Sequence, residues 1–134
     1  MYSNILIPVA PGHSNDVGTA VEMAKLLAND GAVITALSIV EEVPHYAGAY
    51  VPMEFTKNHL AETERELETT FAGKGIQTET TLGHASTGIL DWAKAHEADC
   101  IIVSSHRPEF SDWFLGSTAA RVVRHAECPV VVLR

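Results

Sequence analysis

Short runs of apolar residues alternate with helical patterns along this chain. Four of these runs, residues 5–9, 33–40, 101–103 and 130–133, are brief and rich in Val and Ile. Continuous runs of this kind are typical of strands buried on both faces of a parallel sheet. A fifth run, residues 76–82, is polar and alternates weakly, which predicts an edge strand.

Between the runs, apolar residues recur at helical spacing. The first helix, which Gly31 is expected to end, has one apolar face made of Val17, Ala20, Val21, Ala24, Leu27 and Ala28. Further helices are predicted at about residues 53–71, from Ser86 onward with Ser86 as the cap, and at about residues 117–126. Pro129 prevents the last helix from continuing.

The resulting order is β-α-β-α-β-α-β-α-β. Such alternation predicts an α/β fold, an open five-stranded parallel sheet with right-handed crossovers and helices on both faces. We expect residues 76–82 at one edge, because they are polar, and residues 130–133 at the other, because they come last. The length of 134 residues predicts one domain, residues 1–134.

Composition narrows the functional classes. The formal net charge is −8, whereas proteins that bind long nucleic acids usually carry a basic stripe, so no nucleic-acid partner is expected. No apolar run approaches the roughly 20 residues of a membrane span, and the first residues lack a signal-peptide pattern, so the expected location is cytoplasmic. Cys100 and Cys128 flank apolar runs and are expected to be small core residues.

The candidate chemistry lies in loops that follow the strands. Ligands of open parallel sheets bind beyond the carboxyl ends of the strands, here after residues 9, 40 and 103. The last of these loops leads to Gly116, Ser117 and Thr118 at a helix start, where unpaired N–H groups favour phosphate. Arg107 adds a charge that can bind phosphate through two hydrogen bonds. By itself, a Gly-Ser-Thr tripeptide is more often a simple helix cap.

The C-terminal third carries a specific resemblance. Residues 101–108 (IIVSSHRP), 114–117 (FLGS) and 121–134 (RVVRHAECPVVVLR) strongly resemble the universal stress protein (UspA) family, and residues 5–9 (ILIPV) match its first strand. The Ser-His-Arg-Pro form of residues 105–108 is similar to the UspF/UspG-like subgroup. The resemblance implies a Rossmann-like, adenine nucleotide alpha hydrolase-like sheet with strand order 3-2-1-4-5.

The resemblance also implies a site for ATP, alone or with Mg²⁺. Carried over residue by residue, the adenine or ribose would contact Pro8, Val9, Ala10 and Val40, with Gly83 as a further neighbour. The ribose and phosphates would be approached by Ser104, Ser105, His106 and Arg107, and phosphate would be held by Gly116, Ser117 and Thr118. The chain departs from the family twice. Ser104 and Arg107 replace two glycines of the ATP motif, whose second gap is one residue shorter here, and Ala10 replaces an Asp that contacts the nucleoside in ATP-binding members.

Three functions follow in order of preference. The first is an ATP- or ADP-binding stress regulator that forms a homodimer through strand Val130–Leu133, with a client protein that the sequence does not name. The second is a scaffold of the same family that binds no nucleotide, and the third is an enzyme on an ATP pyrophosphatase-like fold. No catalytic base stands out, so any ATPase or self-phosphorylation is expected to be slow.

Two other groups of polar residues predict no site. The seven histidines lack metal-ligand spacing, so no metal site is expected. Four glutamates on the second helix are expected to form a solvated face, namely Glu62, Glu64, Glu66 and Glu68.

Overall fold

The computed structural model describes residues 1–41, 53–104 and 116–134. In this part of the chain, five strands alternate with four helices. The strands are β1 Tyr2–Pro8, β2 Ala28–Glu41, β3 Gln77–Gly83, β4 Cys100–Ser104 and β5 Val130–Leu133. The helices are α1 Gly18–Leu27, α2 Met53–Phe71, α3 Ala85–Ala95 and α4 Ser117–His125, and a 3₁₀ turn at Ser14–Val17 precedes α1.

The strands form one parallel sheet in the order β3-β2-β1-β4-β5. This confirms the predicted fold class, strand order and both edges. The central strands β1 and β4 contain side chains that are buried on both faces of the sheet, whereas the polar β3 lies at an edge. The order reverses between β1 and β4, the place where sheets of this class bind ligands.

Helices cover both faces of the sheet and create two apolar layers. One layer joins Ile5 and Ile7 of β1 to α1 and α2, and the other joins Leu6 of β1 to α3 and α4. Successive side chains of a strand point to opposite faces, so a strand between two helical layers must be apolar throughout. Cys100 is buried and Cys128 is half-buried, and both thiols are free, as expected for small core residues.

Two local predictions were wrong. The first helix ends at Leu27, before Gly31, because the chain already enters β2 at Ala28, which pairs with Tyr2 before the register shifts. Ser86 does not cap α3, since the helix begins one residue earlier and Ser86 is buried in its first turn.

Asp99 joins the starts of the two central strands. Its carboxylate accepts main-chain N–H bonds from Ser3 (2.8 Å) and Asn4 (2.9 Å), while its own N–H donates to the Asn4 carbonyl at 2.9 Å. These bonds align β1 with β4 at their amino ends. The candidate site lies at the opposite, carboxyl end.

Candidate functional site

Val9 continues β1 beyond its last residue and forms the floor of the candidate site. Its N–H donates to the Leu37 carbonyl at 2.8 Å, and its own carbonyl accepts the Ser38 hydroxyl at 2.7 Å. Val9 is 3% exposed and Ser38 is fully buried. Because both main-chain polar groups of Val9 are bonded to β2, the first residues of the following loop leave the sheet from a fixed point.

The other predicted residues on β1, β2 and β4 lie at the same end of the sheet. Val40, near the end of β2, is buried, whereas Ala10 and Ser104 are exposed and Pro8 is half-buried. The β1–β4 register pairs Leu6 with Ile101. Continued by three residues, it places Val9 opposite Ser104. The structure therefore brings together a buried apolar floor and an exposed rim.

The start of α4 packs near the carboxyl end of β4. Gly116 is its N-cap, and its carbonyl accepts the Ala120 N–H at 2.8 Å. Ala119, in the first turn, packs in the same apolar layer as Val103, the residue before Ser104. A Cβ built on Gly116 would meet nothing within 4 Å among the described residues. The first turn of α4 therefore starts from a residue without a side chain.

Ser117 and Thr118 occupy the first turn of α4, exposed and half-buried respectively. Three further predicted site residues, Ser105, His106 and Arg107, lie outside the described residues, as do residues 42–52, which belong to the loop expected after residue 40. The described portion of the site thus consists of the floor, the rim and the start of α4.

The start of α3 differs from that of α4 because the protein supplies its own anion there. Glu41, the last residue of β2, accepts the Ala85 N–H at 3.1 Å and lies 3.5 Å from His84 Nδ1. A carboxylate at a helix N-terminus interacts favourably with the helix dipole. Gly83, predicted as a further neighbour of the site, is the last residue of β3 and immediately precedes His84, the N-cap of this helix. The N-cap of α3 is His84, whereas the N-cap of α4 is Gly116, which has no side chain.

A contact that the sequence did not predict holds the loop after β1. Glu66 of α2 accepts main-chain N–H bonds from Gly12 (3.1 Å) and Ser14 (3.2 Å), and it accepts the Ser14 hydroxyl at 2.7 Å. The Ser14 hydroxyl bond, together with the two main-chain bonds, lowers the pKa of Glu66. The prediction of a solvated face is wrong for Glu66, whereas Glu62, Glu64 and Glu68 are exposed.

Helical spacing carried a signal for this contact. Thr63, Leu67 and Phe71 are buried on the inner face of α2. Glu66 and Thr70 each precede one of these residues and therefore lie at the border of the same face. A carboxylate and a hydroxyl spaced four residues apart at such a border point to a specific partner, although the sequence does not say that the partner is the loop after β1.

The family model of the Universal stress protein family matches residues 1–134. The chain belongs to this family. Universal stress protein G of Escherichia coli O157:H7 is 29% identical to it over 142 residues, which cover 100% of both chains. The solved structure of universal stress protein UspA from Lactobacillus plantarum has a TM-score of 0.65 and 28% identity, and covers 99% of this chain and 98% of that one.

Two more distant universal stress protein structures were solved with nucleotides. The protein from Archaeoglobus fulgidus in complex with dAMP has a TM-score of 0.59 and 18% identity, with 99% of this chain and 98% of that chain covered. A universal stress protein in complex with cAMP has a TM-score of 0.61 and 17% identity, with coverages of 99% and 97%. At sequence identities of 17% and 18%, the similarity of these two structures to this chain shows a shared fold.

The described residues of this universal stress protein contain neither a metal-binding cluster nor a membrane-spanning helix. Among residues 1–41, 53–104 and 116–134, no group of three or more His, Cys, Asp or Glu side chains could hold a metal ion. His13 instead lies 2.9 Å from Asp16, through its Nδ1 atom. None of the described helices is long and apolar enough to cross a membrane.

Proposed function

We propose that this universal stress protein is a dimeric regulator of the stress response that binds ATP or ADP at the carboxyl ends of β1 and β4. The observation that carries the proposal is that the first turn of α4 packs, through Ala119, in the same apolar layer as Val103 near the carboxyl end of β4, the strand beside β1. Such a site would offer apolar side chains to a base and a helix N-terminus to phosphate, both at the carboxyl end of the sheet.

The residues present fit an adenine nucleotide in two respects. Val9 and Val40 place buried apolar side chains near the carboxyl ends of β1 and β2, and both main-chain polar groups of Val9 are paired, so the surroundings of a purine there would be apolar. Gly116 allows the backbone to approach a phosphate closely, because a Cβ there would face open space among the described residues. Ser117 and Thr118 would add hydroxyl donors and Arg107 a guanidinium, while Mg²⁺ would accompany the phosphates as their counterion.

The relatives support the same chemical class. dAMP and cAMP, the ligands of the two universal stress protein structures described above, both contain adenine and a phosphate group. Their sheets share the fold of this chain, and the fold places its ligand crevice at the point where strand order reverses. An adenine nucleotide is thus the ligand class we propose here.

A scaffold that binds no nucleotide is the second candidate, and Ala10 favours it. Position 10 is exposed at the rim of the site, where ATP-binding relatives are expected to place an Asp. A hydrogen bond to a charged group contributes about 1.5–3 kcal/mol, or roughly 10- to 100-fold in affinity. The proposed affinity for ATP is accordingly micromolar or weaker.

The enzyme on an ATP pyrophosphatase-like fold is disfavoured by Glu66. Such enzymes need a loop after the first strand whose N–H groups bind pyrophosphate. In this chain the N–H groups of Gly12 and Ser14 already donate to the Glu66 carboxylate. A second anion at these two donors would be repelled. The proposal therefore places the phosphates at α4, in a protein acting as a cytoplasmic binding module with at most slow ATPase or self-phosphorylation activity.

Calorimetric titration with ATP, ADP, AMP and adenosine, with and without Mg²⁺, tests the proposal. We expect ATP to bind and to raise the thermal stability, by about 2.7 kcal/mol at a hundredfold excess over Kd. The variant Ala10→Asp is expected to strengthen ATP and adenosine alike, by about 10-fold or more, because it restores a nucleoside contact.

Arg107→Ala separates phosphate from nucleoside recognition. It is expected to weaken ATP about 10- to 100-fold and to leave adenosine unchanged, if the guanidinium contacts phosphate. Arg124→Ala is the matched control, because Arg124 is exposed in the last turn of α4 and makes the same change of charge. Absence of any thermal shift at millimolar Mg-ATP would reject nucleotide binding and leave the scaffold.

A further inference from the structure

The loop after β1, residues 9–13, would form one wall of the proposed nucleotide site, and few bonds within the loop fix its shape. Its internal turn is closed by the His13 N–H, which donates to the Ala10 carbonyl at 3.0 Å. Gly12 has a backbone φ of +82°, a value that residues with a side chain rarely adopt. Ala10 and His13 are exposed, so packing of their side chains contributes little to the conformation of the loop.

The strongest contacts of this segment run to α2. The two carboxylate oxygens of Glu66 have different partners. Oε2 accepts the Gly12 N–H, whereas Oε1 accepts both the N–H and the hydroxyl of Ser14. The Ser14 hydroxyl also lies 2.8 Å from Thr70 Oγ1. Ser14 is only 2% exposed, so its two partners on α2 replace the water that it has lost.

Helix α2 is a rigid support for these bonds. Leu67 and Phe71, which neighbour Glu66 and Thr70 in sequence, are buried in the same apolar layer as Val9 and Val17. Those two valines flank the loop and its 3₁₀ turn. The helix that carries the carboxylate is therefore packed against both ends of the segment whose middle the carboxylate binds.

We propose that Glu66 is a positioning residue for the nucleotide site, holding the loop after β1 in the conformation that lines the base and ribose. The inference rests on the proposed function. Glu66 acts through the N–H groups of Gly12 and the polar groups of Ser14, and does not contact the nucleotide. Its charge makes these hydrogen bonds stronger than those of a neutral acceptor. Residue 10, where relatives carry their nucleoside contact, is oriented by the same turn.

The test uses Glu66→Gln in the full chain. Glutamine keeps the length of the side chain but replaces one acceptor oxygen with an NH₂ group, so either Gly12 or Ser14 loses its acceptor. We expect the amide protons of Gly12 and Ser14 to exchange faster in the variant, without any nucleotide present. We also expect AMP and adenosine to bind about 3- to 10-fold more weakly, the size of couplings transmitted through one contact.

Two further variants make the comparison specific. Glu68→Gln makes the same change of charge on an exposed position of α2 and is expected to alter neither amide exchange nor affinity. Ser14→Ala keeps the carboxylate and both N–H donors, and is expected to produce a smaller loss than Glu66→Gln. Equal losses for AMP and adenosine mark a role near the nucleoside, in contrast to the phosphate-specific loss expected for Arg107→Ala.

The possible failures are distinguishable. Unchanged amide exchange in Glu66→Gln would overturn the positioning of the loop, whatever the ligand results are. Faster exchange with unchanged affinity would overturn its connection to the nucleotide site. If wild-type protein bound none of ATP, ADP, AMP and adenosine, the proposed function would fail and the role of Glu66 toward a nucleotide would fail with it. The exchange measurement would still report whether the carboxylate orders the loop.

Discussion

At the scale of single residues, Glu97 shows how a helix end can be strained by its sequence. It has a φ of +55° just beyond α3, where its N–H donates to the Lys94 carbonyl at 3.3 Å. The next N–H, of Ala98, donates to the Ala93 carbonyl at 2.9 Å. This pair of bonds is the Schellman motif, in which glycine usually occupies the left-handed position.

Replacing Glu97 with Gly is expected to raise the free energy of unfolding by about 0.5–1 kcal/mol. Glycine removes the Cβ that disfavours the left-handed conformation, and this gain outweighs the greater freedom of glycine in the unfolded chain. Urea denaturation measures the change. Glu97→Ala is the control, because it removes the same charge but keeps the Cβ. A gain in the alanine variant as large as that in the glycine variant would contradict the explanation.

Cys100 is a second residue whose environment has a measurable consequence. Its burial, followed by the nearby Cys128 and Asp99, raises the pKa of the Cys100 thiol to about 11. Burial likewise raises the pKa of Cys128. Between about pH 9 and pH 11 the unfolded thiol loses its proton while the folded one keeps it, so the stability due to this shift is present below about pH 9 and is lost as the pH rises.

The variant Cys100→Ala is therefore expected to have a shallower loss of stability from about pH 9 to pH 11 than the wild type. Urea midpoints measured across this range check the slope, and the absolute stability of the variant does not matter for the comparison. Cys128→Ala provides a second slope for a less buried thiol. Parallel curves for wild type and Cys100→Ala would show that the burial of this thiol does not affect alkaline stability.

At the scale of elements, α3 approaches β2 unusually closely at Gly88. A Cβ built there would lie 3.0 Å from Ile39 Cδ1 and 3.3 Å from its Cγ1. Glycine within a helix costs about 1 kcal/mol relative to alanine. Its presence in the middle of α3 is explained by the Ile39 side chain, which is 5% exposed and fills the space that a methyl group would need.

Gly88→Ala is expected to destabilise the protein by about 1 kcal/mol, because crowding against a buried, branched side chain outweighs the helix propensity of alanine. Ile39→Val alone is expected to cost about 0.5–1.5 kcal/mol. The double variant should cost clearly less than the sum, since valine lacks the Cδ1 atom that the new methyl group would meet. A double-mutant cycle in urea measures this coupling, and strict additivity would show that α3 simply moves away.

At the scale of the whole molecule, the open question is what meets the edge formed by β5. This strand is Val-Val-Val-Leu and is half-buried throughout, and it pairs with β4 on one side. Apolar edge strands favour association, and two-fold symmetry is the commonest arrangement of soluble homo-oligomers. The proposed homodimer would form by antiparallel pairing of two copies of β5.

The ladder pattern indicates which variant separates folding from association. The Ile101 N–H donates to the Pro129 carbonyl at 3.0 Å, so in a parallel ladder the groups of Val131 face β4 and those of Val132 face outward. Val132→Pro removes an outward N–H and is expected to yield a folded monomer. Val131→Pro, the control, removes a bond inside the sheet and is expected to lower the free energy of unfolding.

Sedimentation velocity at tens of micromolar protein measures the oligomeric state of both variants, and circular dichroism measures whether they are folded. We expect a dimer for the wild type and a monomer of unchanged helicity for Val132→Pro. A folded monomeric wild type would reject the dimer, and a Val132→Pro protein that stays dimeric would place the interface on another surface.

Local patterns in the sequence determined which strands lie at the two edges of the sheet, where the strands fall along the chain, and the extent of α2. Strands buried on both faces require continuous apolar runs, and helices require apolar residues at a spacing of three to four. The strand order itself and the residues of the site came from family resemblance. Boundaries were less well determined. Ser86 was predicted as a cap, yet the α3 start is bonded at the Ala85 N–H by Glu41, which lies 44 positions before Ala85 in the chain.

Only the tertiary structure decided what Glu66 does. In the sequence it is one of several glutamates on an acidic helix, and its place at the border of the apolar face does not say which segment it contacts. Its partners Gly12 and Ser14 are more than 50 residues away along the chain, and they meet it because the apolar face of α2 packs against the layer that contains Val9 and Val17. Apolar periodicity is a local property that a sequence displays directly, whereas the partner of a polar group depends on which distant segments packing brings within hydrogen-bond distance.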